Sequence, residues 1–460
     1  MSAQIFYYDI GDYLSREQKL KIISDFKSMA NLPFVNITPN EHGDWISKRN
    51  DKFSSWIPIE AEKKFDVNSQ SFFITHAIGV ATNRDAWVYN FSRDELSKNM
   101  NRMIDFYNEQ REIYQKRIEN STEKLAVEDI VSNDDKKISW TRGIRRMVER
   151  NAEIKFSDNV TIIGMYRPFS KQLFYSANDV IEMIGINKKL FPTPKHKNLV
   201  ICIKGIGDKD FSCLISNCIP DLQVVFNGQC FPLYWYEEIK PDQCSLFDSA
   251  DGTKYIKHEA ISDFILDRAR TKYGNKVSKE DIFYYVYGIL HSKSYRETFS
   301  ADLKKMLPRL PLVSDYQKFW DFVNAGRKLA DLHLNYENIA PCSDVVVTGD
   351  DKNDFAVTQM KFVKKGEKHT IIYNDKITLS NIPQKAYDYV VNGKSAIEWI
   401  MERYAITTDK KSGIVNNPND WAKEHNKPRY ILDLLLSVIN VSVQSVDIVN
   451  ALPEVDWDKE

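Results

Sequence analysis

Residues 164–177 read GMYRPFSKQLFYSA. Met165, Phe169, Leu173 and Tyr175 follow the apolar alternation of a half-buried extended segment, yet Arg167, Lys171 and Gln172 stand among the aromatics beside Pro168. Surface charges contribute little to stability, so two cations next to Tyr166 and Phe169 point to an anionic partner rather than to packing. Further strand-like runs lie on both sides: NVTII before, and NLVICIKG, DLQVVFN and FPLYWYE after, punctuated by Gly, Pro and Asn. Residues 138–236 therefore read as a strand-rich region of a mixed α/β (α+β) protein.

Working toward the N-terminus, SFFITHAIGVATNRDAWVYNF suggests two strands joined by a polar turn at Thr82–Asp85. Ser92 followed by Glu95 has the form of a capping box, and Leu96, Met100, Met103, Ile104, Tyr107 and Tyr114 recur at helical spacing, which predicts one long bracing helix over 93–118. The polar stretch NSTEKLAVEDIVSNDDKK at 120–137 is read as a boundary, and TRGIRRMVERN beyond it as a basic helix or turn. Toward the C-terminus, Ser278 with Asp281 opens a helical region, KFWDFVNAGRKLADLHLNYE continues it, short strands return over 345–379, and KAYDYVVNGKSAIEWIMERY and RYILDLLLSVINVSVQSVDIV read as two more helices. Three parts are expected: 1–125, 126–345 and a flanking strand and helix region at 346–460.

At 460 residues, 43% hydrophobic and 12% aromatic, the chain has ample apolar material for packed cores. No uninterrupted run of 18 apolar residues and no signal-like N-terminus occurs, so a cytoplasmic protein without a membrane span is expected. Cys202, Cys213, Cys218, Cys230, Cys244 and Cys342 form no CxxC pair and read as buried thiols. The 63 basic and 64 acidic residues nearly balance, but residues 141–200 hold eleven Lys/Arg against five Asp/Glu, a local excess of six. Beyond Tyr234 the sign reverses with Glu237, Glu238, Asp242, Asp248 and Asp251.

Catalytic motifs are mostly missing. There is no phosphate loop, GIGDKD at 205–210 lacks the third glycine of a dinucleotide fingerprint, and His258-Glu259 begins no H-E-x-x-H. The chain has no Pro-Pro pair, hence no loop of the kind that holds a flipped base for amino methylation. One enzyme-like pattern remains: Pro220-Asp221 with Glu238-Ile239-Lys240 fits the loose form of a Mg²⁺ nuclease signature, although ExK recurs by chance at Glu153–Lys155. His291 reads as a satisfied helix-face histidine, and neither a catalytic nor a metal-ligating residue is assigned.

Nucleic-acid binding needs cations for phosphates and donor or acceptor side chains for base edges. Arg142, Arg145, Arg146 and Arg150 share one face of a short helix, and Lys188, Lys189, Lys195 and Lys197 recur in loops. Arg142, Arg145, Arg146, Lys188, Lys189, Lys195 and Lys197 are the expected phosphate contacts; Arg167, Lys171, Asn83 and Arg84 are the expected groove contacts, with Tyr166 flanking Arg167. All are expected on one concave face.

Long blocks in order then resemble a known family: FYYDIGDYLSREQKL at 5–19, ITPNEHGDWISKRND at 37–51, TNRDAWVYNFSRDEL at 82–96, MYRPFSKQLFY at 165–175, DLQVVFNGQCFPLYWY at 221–236, EDIFYYVYGILHSKSYRETF at 280–299, LPRLPL at 307–312 and VNGKSAIEWIMERY at 391–404. The chain resembles the C-terminal part of type ISP restriction–modification enzymes, a methyltransferase tail followed by the target recognition domain. The resemblance implies sequence-specific recognition of double-stranded DNA. It assigns S-adenosylmethionine, ATP and Mg²⁺ to N6-adenine methyltransferase, helicase and nuclease modules supplied in cis or in trans, with no cofactor in this chain. Two other readings stand beside it: a nuclease using Asp221, Glu238 and Lys240, and a protein-interaction module presenting the Met and Tyr stripe of the 93–118 helix.

Overall fold

A computed structural model describes residues 4–460 apart from 12–13, 42, 47–48, 124, 240–254, 351–353 and 365. Lys240, Cys244 and the acidic Asp242, Asp248 and Asp251 thus lie outside the described residues. The chain divides into two compact units, Met1–Asp51 and Lys52–Glu460. In the first, strand Ile5–Tyr7 pairs antiparallel with Val35–Ile37, and helix Arg16–Asp25 starts at Ser15, whose hydroxyl accepts the Gln18 N–H while Gln18 Oε1 accepts the Ser15 N–H. That reciprocal cap satisfies two backbone donors which water would otherwise have to serve, and the helix needs it, because it buries no residue.

The second unit is built around an antiparallel four-stranded sheet in the order Ala77–Ile78, Gln229–Pro232, Val200–Ile203, Cys213–Ser216. VICI and CLIS are buried at every position, the mark of strands covered on both faces. Val200, Cys202 and Leu214 enter one core, with the long helix and the C-terminal region; Ile201, Ile203, Cys213 and Ile215 enter another, with the helices between 263 and 334. Cys202 and Cys230 face each other across this sheet as free thiols, Sγ to Sγ 3.6 Å.

The stretch at 164–177 is a hairpin. Strand Thr161–Arg167 turns through Pro168 and Phe169 into Ser170–Tyr175, flanked by Ile219–Pro220 on one side and Tyr89–Asn90 on the other. Phe169 takes the left-handed conformation (φ 56°), which costs a side chain with a Cβ, and its ring is buried edge-on against Tyr336. The expected half-buried segment is in fact almost wholly buried, since Gln172, Leu173, Phe174 and Tyr175 are all inside. A third antiparallel sheet, Val346–Thr348, Thr378–Ser380, Glu367–Ile372 and Lys361–Lys364, accounts for the strands near 345–379.

Helix Arg93–Glu119 covers the expected 93–118. Only half of its capping box forms: the Ser92 hydroxyl accepts the Glu95 N–H, but the Ser92 N–H goes to Asn90 Oδ1. Its Leu96, Met100, Met103, Ile104, Tyr107 and Tyr114 stripe is buried in the unit's own core, which corrects the reading of that stripe as a contact for another module. Val127, Val131 and Ile138 join the same core, so the polar stretch at 120–137 lies within a compact unit, as does residue 345. Helices Lys279–Ile289, reciprocally capped by Ser278 and Asp281, and Tyr316–Leu334 approach backbone to backbone: a Cβ on Gly288 would overlap the Phe322 carbonyl oxygen, and one on Gly326 that of Tyr284.

Three local expectations are corrected. The segment 77–90 is no hairpin, because Ala77–Ile78 and Tyr89–Asn90 belong to different sheets with a short helix Asp85–Val88 between them. DLQVVFN is a compact turn in which Asp221 Oδ1 accepts the Gln223 N–H and the Gly228 N–H reaches Leu222 O; its valines are buried without being a strand. KAYDYVVNGKSAIEWIMERY is a 3₁₀ turn Gln384–Tyr387, a hairpin of Val390–Val391 with Lys394–Ser395, and helix Ala396–Arg403; Asn392 and Gly393 both have positive φ, as an Asn-Gly hairpin turn requires. Helix Tyr430–Asn450 is by length and composition apolar enough to cross a membrane, but 67% of its apolar window is buried in the fold. Its buried Ser437 and Ser445 serve Tyr336 O and His333 Nε2 there.

Candidate nucleic-acid interface

The candidate residues separate into those the fold consumes and those it leaves free. Arg167, in the hairpin at 164–177, is among those consumed. Its guanidinium donates through Nη1 to Asp221 Oδ1 (2.7 Å) and Tyr166 O (2.6 Å), and through Nη2 to Asp85 Oδ2 (3.0 Å), while lying 4.0 Å over the Tyr166 ring. Asp221 is 3% exposed. Burial pushes its carboxyl up to about 7, with Arg167 and the Gln223 N–H pulling the other way. Lys171 donates to Glu337 Oε2 at 2.8 Å and sits over the Tyr336 ring. The anionic partners of both cations are carboxylates of this chain.

Arg84 is corrected in the same way. It is 4% exposed, with Nη1 donating to Val180 O (2.5 Å) and Nη2 to Thr141 Oγ1 (2.7 Å), and burial pulls it down to about 10. It pins the 82–85 turn to two distant segments and is not available to a DNA groove. Among the four expected groove contacts only Asn83 is exposed, in the left-handed conformation (φ 54°). Tyr166 is half-buried under Arg167 and against Tyr89.

The seven expected phosphate contacts behave differently. Arg142, Arg146, Lys189, Lys195 and Lys197 are exposed, and Arg145 and Lys188 half-buried. None forms an ion pair with a described carboxylate. Helix Arg142–Glu149 turns Ile144 and Val148 inward, so Arg142 and Arg146 fall on the solvent side; Lys189 lies over the Phe65 ring at 5.1 Å. Desolvation lowers Lys188 from the ordinary lysine value.

Two concavities, rather than one face, take up some of these side chains, and Arg142, Arg146, Lys189 and Lys195 line neither. A groove of about 1040 Å³ has Lys171, Lys188, Lys197 and Lys257 in its wall. A smaller polar cleft of about 580 Å³ contains Asn83, Arg84 and Arg145 with Asp85, Asp135, Asp221 and Asp409. Sequence reasoning missed Lys257, whose inner position on strand Tyr255–Glu259 has no distinguishing local signal.

Nothing among the described residues supports the nuclease alternative. Asp221 is clamped by Arg167, whereas Glu238 ends strand Tyr234–Glu238 in a separate hairpin with Tyr255–Glu259. Among the described residues no cluster of three His, Cys, Asp or Glu is placed to hold a metal. Glu153 and Lys155 form an exposed pair at 3.5 Å, and His291 is buried with Nδ1 2.8 Å from Tyr287 O.

The larger unit is thus a mixed α/β body that leaves several cations of the 142–197 segment unpaired. Residues 71–434 match the family described as the Type ISP C-terminal specificity domain, and the chain belongs to that family. Three solved structures share its fold over 98% of its length. They are a nuclease-deletion mutant of the Type ISP restriction–modification enzyme LlaGI in complex with a DNA substrate mimic (39% identity, TM-score 0.82), the ATP-dependent Type ISP enzyme LlaBIII bound to DNA (38%, 0.84) and a DrdV–DNA complex (26%, 0.80). The chain spans 39%, 28% and 43% of those chains respectively, well under half of each. No curated protein matches it.

Proposed function

We propose that this chain binds double-stranded DNA sequence-specifically, as the specificity part of a type ISP restriction–modification system acting in the cytoplasm. The observation that carries the reading is its similarity, over 98% of its length, to three chains each solved with DNA or a DNA mimic. The unpaired cations of 142–197 supply the sequence-blind phosphate attraction such binding needs. Methylation, translocation and cleavage, with their S-adenosylmethionine, ATP and Mg²⁺, fall to methyltransferase, helicase and nuclease modules in cis or in trans. Selection of bound duplexes from a random pool at two ionic strengths tests the reading. A single enriched sequence at both, with weaker retention at the higher, is expected; a pool that stays random at both removes it.

A further inference from the structure

The larger groove is where the chain's unspent charge has one sign. Glu280 and Glu337 lie in its wall, but Glu280 accepts from Arg327 Nη1 at 2.8 Å, and Glu337 from Lys171 Nζ and the Tyr430 hydroxyl, each at 2.8 Å. Lys188, Lys197 and Lys257 form no ion pair with a described carboxylate, although Asp179 exerts a weaker electrostatic pull on Lys188. The smaller cleft offers no such excess, because Asp85, Asp135, Asp221 and Asp409 in its wall outnumber Arg84, Arg145 and Lys411.

The groove also carries side chains suited to base edges. Asn159, in the 3₁₀ turn Asp158–Val160, and Asn217, in the turn after strand Cys213–Ser216, are exposed, and neither carboxamide has a hydrogen-bond partner among the described residues. A free carboxamide offers one donor and one acceptor side by side, the complement of the adenine N6 and N7 edge. Ile163, 45% exposed on strand Thr161–Arg167 and in the wall of the same groove, presents the apolar surface that a thymine methyl takes. Backbone cations, free amides and an exposed aliphatic in one groove together complement a DNA duplex; a peptide or small anion would use fewer of these groups.

We infer that the duplex is read on this groove, with Asn159 and Asn217 meeting base edges, Ile163 meeting a methyl group, and Lys188 and Lys197 holding phosphates. The inference rests on the DNA-binding reading above and adds to it the residues that choose the sequence. The test compares the wild-type chain with Asn159→Ala, Asn217→Ala, Asn83→Ala and a Lys188→Ala/Lys197→Ala double variant, by duplex selection and by binding across a salt series, with thermal melts as the check on folding. Asn159→Ala and Asn217→Ala are expected to melt with the wild type, to keep its salt slope, and each to lose preference at one base pair with about a 5- to 150-fold weaker grip on the selected site. The double lysine variant should weaken all sequences alike and shallow the salt slope by about 2. If both asparagine variants keep the full wild-type preference, or if Asn83→Ala alone loses it, the groove assignment is overturned while DNA reading stands. If the wild type enriches nothing, both fall together.

Discussion

The two concavities of the larger unit differ in what they do with charge. Strand Thr161–Arg167 lends Ile163 to the groove and, at its far end, Arg167 to the network beneath the cleft. In the cleft, guanidinium and carboxylate meet in a desolvated setting, where each alone would cost several kcal/mol and together they are tolerable. In the groove, Lys197 and Lys257 remain exposed and unpaired, Lys188 is half-buried without an ion pair, and Lys171 alone of the four is spent, on Glu337. A count of cations along the sequence therefore overstates the binding surface, and the correct question for each is whether the fold has already supplied its counter-charge.

That contrast can be broken most forcefully at Asp221. Asp221→Ala removes a buried carboxylate from Arg167 and should cost about 3–5 kcal/mol of stability, read by urea unfolding. A variant that stays stable but changes DNA preference would mean the cleft, not the groove, reads the duplex.

Next in size is an acid effect on the buried histidines. Burial holds His333 at about 3, between the Tyr287 hydroxyl and Ser445 Oγ, and His76 at about 4, while His291 is likewise pushed down. These rings are neutral when folded and take up a proton when unfolded, so the unfolded state binds more protons below about pH 6.5, and stability present above that pH is lost as pH falls toward the folded values. Each histidine contributes a slope of up to about 1.4 kcal/mol per pH unit. His333→Gln should remove one such slope from unfolding curves measured between pH 6.5 and 4, and an unchanged pH dependence would contradict the assignment.

Two lysines then give a matched pair. Lys171→Ala leaves Glu337 with the Tyr430 hydroxyl alone and should cost about 1 kcal/mol of stability without altering the salt dependence of DNA binding. Lys195→Ala, exposed and unpaired, should do the reverse: stability within about 0.5 kcal/mol of wild type and a salt slope lower by about 0.9. Exchanged outcomes would invert the division between spent and spare cations.

The sequence made the architecture legible wherever a local rule had no competitor. Ser92 and Glu95 located the long helix to within a residue at each end, and Ser278 with Asp281 located another. Apolar content misled where burial was achieved without a strand: Val224 and Val225 are as buried as any sheet residue yet belong to a turn fixed by the Asp221 side chain. The Asn392-Gly393 turn was a visible hairpin signal masked by the helical spacing around it. For the site, residue type and clustering indicated a cationic segment, but apart from Tyr166 O the partners of Arg84, Arg167 and Lys171 lie between 54 and 166 residues away, and no spacing rule reaches so far.

The crossing of helices Lys279–Ile289 and Tyr316–Leu334 limits how the chain can vary. Gly288 presses against the Phe322 backbone and Gly326 against that of Tyr284, so enlarging either cannot be rescued by shrinking a facing side chain, because the overlap is with a carbonyl oxygen that every residue carries. Most core positions admit paired exchanges that conserve volume. This one admits none, so homologues that keep this crossing should carry both glycines even where their target sequences have diverged.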